Sequence, residues 1–230
     1  MLQNYDILKE LRPRVQAVED KVTDAYNRQV NPQEERVTGH LAGMLASRLR
    51  GSFNEGSNTI EVEVDAYGAL EEPTTGIDLG LRYQLYSEDF SIATGLVIQA
   101  KRFDTTDIHL PSQCRRMFVR SQEAYIFAYA LDEIHVYPAL PVLLVGGTGG
   151  KFTKFYGQGF VPFICRFLEG FHGDLRLAEN IDEPAPALPV VERVRYLVDI
   201  RASINMEEAN FDRVNGDAYR RLNGSKFYQE

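Results

Sequence analysis

The spacing of apolar residues changes period partway along the chain, and that change is the strongest constraint on the fold. Leu8, Leu11, Val15, Val18 and Val22 recur at intervals of three and four within residues 2–28, the pattern of an amphipathic helix. Pro13 interrupts the stripe, so either the helix begins near Arg12 with Pro13 in its first turn or it kinks there. After Asn31-Pro32 the helical spacing resumes over 33–50 through Val37, Leu41, Met44, Leu45 and Leu49. Gly39, Ala42, Gly43 and Ala46 are small enough to let that helix approach a sheet closely. From Thr59 to Val64 the period drops to two, which predicts a strand with one wet face. Residues 76–86 and 91–98 are further strand segments separated by Ser87-Glu88-Asp89, and three strands so closely connected suggest a meander. A helix over 113–131 and a Pro-broken apolar strand over 134–142 follow. The order helix, three strands, helix, strand predicts an α/β fold, a mixed sheet flanked by helices.

The rest of the chain is less regular. Residues 51–58 form a turn-rich break. Phe160, Phe163, Phe167 and Phe171 are spaced as on one helix face, and core packing is their expected role ahead of an oligomer interface. Residues 180–189 suggest a surface connection, 194–200 a late strand and 209–222 a closing helix. A single domain over 1–230 is expected, with its core at about 33–142 and the N-terminal helix 2–28 and region 150–230 as additions. With 44% hydrophobic and 25% charged residues the chain can bury a core, which excludes a disordered tail or a coiled-coil rod. Two cysteines are too few for a disulfide framework or a thiolate zinc site, so Cys114 and Cys165 are expected as buried fillers in a reducing compartment. The longest uncharged apolar run, Ala139–Val145, falls far short of the ~20 residues that span a bilayer. Asp6 and Glu10 do not suit a signal peptide, and a cytoplasmic location is expected. The net charge of -8 argues against nucleic-acid binding through overall charge but leaves room for a local basic groove.

The chemistry concentrates in two short stretches. Leu96-Val97-Ile98 runs into Gln99-Ala100-Lys101, and alternate strand residues share a face, so Gln99 and Lys101 project together. If the strand after Ile77 pairs antiparallel with this one, Asp78 converges on them. A carboxylate and an amide oxygen suit Mg²⁺, which keeps several of its waters, while an ammonium can orient a nucleophile and stabilise a phosphoryl transition state. Glu34 and Glu35, at the start of the second helix, can supply a second carboxylate.

A helix glutamate, then Gly76-Ile77-Asp78, then an apolar strand ending Ile98-Gln99-Ala100-Lys101-Arg102 and a following helix together resemble the PD-(D/E)xK nuclease superfamily. Within it they look like the Mrr-like restriction endonuclease branch, in which Gln-x-Lys replaces Glu-x-Lys. The resemblance spans about 33–137. It implies a restriction-endonuclease-like fold with an αβββαβ core and Mg²⁺- or Mn²⁺-dependent DNA cleavage in restriction or antiviral defence. It implies Asp78 and Gln99 as metal ligands and Lys101 as the catalytic lysine. The helix glutamate falls on Glu35 or Glu34, with Glu35 preferred because Glu34 lies on the apolar stripe. A dimer or larger assembly follows from the need to cut two strands, and a partner protein is possible. Arg102, Arg116, Arg120 and Lys151 are the candidate nucleic-acid contacts. The stretch between Asp78 and Gln99 is long for the family, and Gln99 is a weaker ligand than a carboxylate.

Competing readings make Asp78 a turn residue and Lys101-Arg102 a solvated strand end, or keep the fold as a catalytically inactive binding module. A small-molecule enzyme on another α/β fold would separate Asp78 from Lys101 by more than one strand. Glu61, Glu63 and Asp65 are expected on the solvent face of their strand. Val145–Thr153 is glycine-rich but lacks the first glycine and the post-lysine hydroxyl of a P-loop, the four histidines lack zinc spacing, and Cys114 has no base partner.

Overall fold

The computed structural model describes residues 7–28, 33–55, 57–69, 77–88, 90–103, 105–145, 152–175, 177, 194–206 and 219–222. Their architecture is mixed α/β. Helix α1 (Ile7–Asn27) buries Leu11, Val15, Val18 and Val22, and α2 (Glu34–Leu49) buries Val37, Leu41, Met44, Leu45 and Leu49. The α2 stripe is that given by the three-and-four spacing, and so is the α1 stripe from Leu11 onward, whereas Ile7 is buried in place of Leu8, which is only partly buried. Pro13 sits inside α1 rather than at its start. The strands are β1 (Gly51–Glu55), β2 (Asn58–Ala69), β3 (Leu79–Tyr86), β4 (Ser91–Arg102), β5 (Ala124–Tyr129), β6 (Ile134–Pro138), β7 (Gln158–Gly159), β8 (Tyr196–Ile204) and β9 (Tyr219–Arg221). Three more helices are α3 (Leu110–Arg120), α4 (Ala139–Val145) and α5 (Phe160–Leu168).

All nine strands form one sheet in the order β1-β2-β8-β3-β4-β5-β6-β7, with β9 along the same edge of β2 as β1. The β3–β4 hairpin is antiparallel, and β5 returns through α3 to lie parallel to β4. The expected meander of β2, β3 and β4 does not form, because β8 lies between β2 and β3, antiparallel to the first and parallel to the second. Residues 150–230 are therefore no mere addition: β8 holds a central place in the sheet. Its Val198, Ile200, Ala202 and Ile204 join the core under α1, α2 and α5. A smaller core under α3 and α4 packs Leu110, Cys114, Met117, Ala139 and Val142 on the opposite face. Cys114 and Cys165 are free thiols, both buried.

Several local expectations are corrected. The turn-rich break at 51–58 contains β1, which closes a hairpin on β2. The helix expected over 113–131 ends at Arg120, and Ala124–Tyr129 becomes β5, buried along its whole length. A short apolar run flanked by polar residues suits a buried strand as well as a helix. The strand expected over 134–142 stops at Pro138, and α4 follows. In α5, Phe160, Phe163 and Phe167 are buried, whereas Phe171 lies beyond the helix and is exposed. Of the closing helix expected over 209–222, Tyr219–Arg221 is strand β9 and residues 209–218 lie outside the described residues, as do the connection at 180–189 and the glycine run 146–150.

On the face of β2, β8 and β3 opposite α1 and α2, a charged cluster adjoins Leu197 and Tyr67 of the smaller core. Asp199 of β8 stands in register with Asp65 of β2 and Arg82 of β3. Arg82 and Asp199 are 2% and 1% exposed and pair through both guanidinium branches, Nε to Oδ1 at 2.8 Å and Nη2 to Oδ2 at 3.1 Å. Arg201 bonds Asp65 and lies 3.5 Å from Asp199, while Arg50 at 2.9 Å and Arg221 also reach Asp65. Asp65 is thus buried among arginines and is not on a solvent face; Glu61 and Glu63 are exposed as expected. Removing one member of such a buried pair strands the other charge, at a cost of about 3–5 kcal/mol. Asp199→Ala should lose stability of that order in urea denaturation. Arg82→Met combined with Asp199→Leu should recover most of it.

Candidate active site

Four segments meet at one end of the sheet: the residue before β3, the end of β4, the first turn of α2 and the turn leading into α3. Asp78 is held through its backbone from both sides. Its N–H donates to the Ile98 carbonyl at 3.2 Å, and its own carbonyl accepts the Tyr196 N–H of β8 at 3.0 Å. Carrying the β3–β4 register one step past Leu79 and Ile98 puts Asp78 opposite Gln99, as the antiparallel argument required. Oδ2 of Asp78 accepts from Gln99 Nε2 and from the Ala100 N–H at 2.8 Å. Among the described residues, both protein bonds to this carboxylate end on Oδ2. Burial pushes the Asp78 carboxyl up to about 6 against the lowering pull of the Ala100 N–H and the Lys101 ammonium, and the charges of Glu34 and Glu35 add to the rise.

Gln99 is 2% exposed. Its amide nitrogen is committed to Asp78, while its Oε1 is buried without a hydrogen-bond partner. A buried acceptor left unsatisfied costs about 1–3 kcal/mol, which a ligand supplying a donor or a positive charge would offset. Lys101 is also buried, at 5% exposure, so this strand end is not solvated. Its ammonium lies 3.0 Å from Asp107 Oδ2 and 3.6 Å from Glu34 Oε2. β3 and β4 are neighbours, so Asp78 and Lys101 stand on adjacent strands.

The glutamates divide their work differently from the expectation. Glu34 opens α2, and its Oε1 accepts the Arg102 N–H at 3.0 Å while Oε2 faces Lys101. Glu35 turns away to pair with Arg195 at 2.5 Å. The apolar stripe that argued against Glu34 points its first turn at the end of β4 instead of into the core, and this brings the carboxylate to the lysine. Two contacts fix α2 there: Thr38 Oγ1 lies 3.0 Å from the buried Tyr129 hydroxyl of β5, and a Cβ on Gly39 would stand 3.0 Å from the Tyr196 ring. The close approach foreseen from the small residues is thus made against β8.

Sequence reasoning missed Asp107. Its Oδ1 accepts the His109 N–H at 2.8 Å and its carbonyl accepts the Leu110 N–H at 3.2 Å, which ties it to the start of α3. Burial alone would raise its carboxyl, but the bonds from Lys101 and His109 outweigh that and hold it below the usual range. An aspartate just before a helix was the one available signal, and it speaks of helix starts rather than of the lysine. Of the proposed nucleic-acid contacts, Arg116 is exposed on α3 and Arg120 lies one turn further along it, half-buried. Arg102 Nε donates to Thr105 Oγ1 at 3.2 Å, and Lys151 and Gly76 lie outside the described residues. Among the described residues, no group of three or more His, Cys, Asp or Glu converges as a metal site. The donors present, one carboxylate and one unpartnered amide oxygen, fit a hard divalent ion that keeps most of its water.

A carboxyl raised from 3.8 to about 6 favours the folded state fully below pH 3.8, and that contribution is lost as the pH rises through 6. At ~1.4 kcal/mol per pH unit the loss is about 3 kcal/mol. Asp78→Asn keeps an acceptor for Gln99 and Ala100 but no charge. In chelator-treated buffer its stability relative to the parent should therefore climb by about that amount between pH 4 and 7, measured by urea titration at each pH. No family model, curated protein or solved structure matches the chain, so the geometry of this corner carries the functional reading.

Proposed function

We propose that the chain is a metal-dependent endonuclease of the PD-(D/E)xK kind in its Gln-x-Lys form, built on a restriction-endonuclease-like fold and hydrolysing DNA phosphodiesters. The observation that carries this reading is the buried, unpartnered Oε1 of Gln99 beside Asp78, with the Lys101 ammonium on the same strand end. The antiparallel β3–β4 hairpin, the α3 crossover and the parallel β5 support the fold. The position of β8 next to β3 departs from a consecutive three-strand meander.

Asp78 and Gln99 would hold Mg²⁺ or Mn²⁺, which when bound supplies Lewis-acid polarisation of the phosphate and a more acidic water. Lys101 orients the attacking water and stabilises negative charge on the phosphoryl oxygens as the water oxygen bonds to phosphorus, one ester P–O bond breaks and the departing oxygen takes a proton from solvent water. Glu34, beside Lys101, takes the water's proton, and Glu35 steadies the helix through Arg195. The exposed Arg116 and, along the same helix, Arg120 offer contacts to the DNA backbone, with Arg102 nearer the corner. Cutting both strands calls for two sites, hence a dimer or larger assembly or a partner protein, in a cytoplasmic restriction or antiviral role. Among the described residues no helix is long and apolar enough to cross a membrane.

A second reading, an inactive nuclease-fold module that binds nucleic acid or protein, is favoured by the amide at 99 and the lack of a third ligand among the described residues. Incubating supercoiled and linear DNA with the protein and Mg²⁺ or Mn²⁺ separates the two. Cleavage should fall by about 10²–10³-fold in folded Lys101→Ala and Asp78→Ala variants. Glu34→Gln should cost more activity than Glu35→Gln. Cleavage that persists in both of the first two variants would refute the assignment, and no cleavage by any form would favour the module.

A further inference from the structure

We infer that Asp107 is a further positioning residue: its anchored carboxylate holds the Lys101 ammonium off Asp78 and so keeps the cation corner open. This rests on the nuclease reading above. Lys101 is nearly all buried, so its flexible stem can satisfy the ammonium only at the carboxylates of this corner. Asp107 and Glu34 pair with it, and Asp78 lies close enough to feel its charge. The ammonium sits 3.0 Å from Asp107 and 3.6 Å from Glu34, and Asp78 makes its bonds to Gln99 and Ala100 instead.

Asp107 is suited to this task because it cannot follow the lysine. The His109 N–H fixes one carboxylate oxygen, the Leu110 N–H fixes the carbonyl, and Pro111 stiffens the first turn of α3. The Asp107 side chain is only 19% exposed, so water screens the pair weakly. Glu34 is a poorer substitute, since one of its oxygens already serves the Arg102 N–H. With the charge of Asp107 gone, the buried ammonium turns to Asp78, the carboxylate that the metal needs.

Asp107→Asn isolates the charge, because asparagine accepts the His109 N–H as well as aspartate does. The first readout is the rise in melting temperature with added Mn²⁺, measured without DNA. The second is the Mn²⁺ concentration for half-maximal cleavage. Asp107→Asn should weaken Mn²⁺ binding at least tenfold in both, and Asp107→Glu should regain most of the loss. Adding Lys101→Met to Asp107→Asn should restore the Mn²⁺-dependent melting shift without restoring cleavage, since no ammonium is left to occupy Asp78. A shift unchanged in Asp107→Asn, or not restored in the double variant, would reduce Asp107 to a turn residue ahead of α3 and overturn the proposal. Parent protein that shows the shift without cleaving DNA would remove the nuclease reading alone, and the double variant would still decide the role of Asp107. Parent protein showing no shift would remove both.

Discussion

The sheet depends on β8 being wedged between β2 and β3. That placement gives β3 a partner on each edge and sets Asp199 against Arg82 where no water reaches them. It also places the Tyr196 N–H on the Asp78 carbonyl, so a strand more than a hundred residues away in sequence fixes the first residue of the site. On one face β8 adds apolar side chains to the main core. On the other it carries Asp199, paired with Arg82 of β3, and Arg201, which reaches across to Asp65 of β2. Alternation along a single strand thus lets one element serve a dry core and a charged layer at once.

The corner at the end of β3 and β4 is built by desolvation as much as by proximity. Gln99 and Lys101 are almost out of water, and the Asp78 carboxyl resists ionisation because it shares that environment. Charge and burial conflict here, and folded proteins tolerate such conflict chiefly where a ligand resolves it. The orphaned amide oxygen of Gln99 is the clearest mark of that unresolved state.

Much of this was legible in local pattern. The stripes of α1 and α2, the alternation of β2 and the polar ends of the β3–β4 hairpin follow from periodicity, which is a property of neighbours. What was not legible is non-local or ambiguous at short range. Gly51–Glu55 reads as a turn until β2 folds back on it, and Ala124–Tyr129 carries no period that separates strand from helix. Arg82 and Gln84 alternate with Leu81, Tyr83 and Leu85 as though facing solvent, yet both are buried. The choice between Glu34 and Glu35 turned on where the first turn of a helix points, which the stripe alone does not say. Asp107 is linked to Lys101 only through the geometry of a loop.

The position of β8 in the sequence has a consequence for when the corner exists. Every side chain assigned to it lies between residues 34 and 107, yet the strand that grips Asp78 is synthesised some ninety residues after Asp107. At about 5–20 residues per second, a growing chain spends several seconds with the acid, amide and lysine made but not assembled. Pairing across such a separation is slow to form because loop closure must precede it. Birth order thereby separates the making of the acid, amide and lysine from the arrival of the strand that anchors the acid.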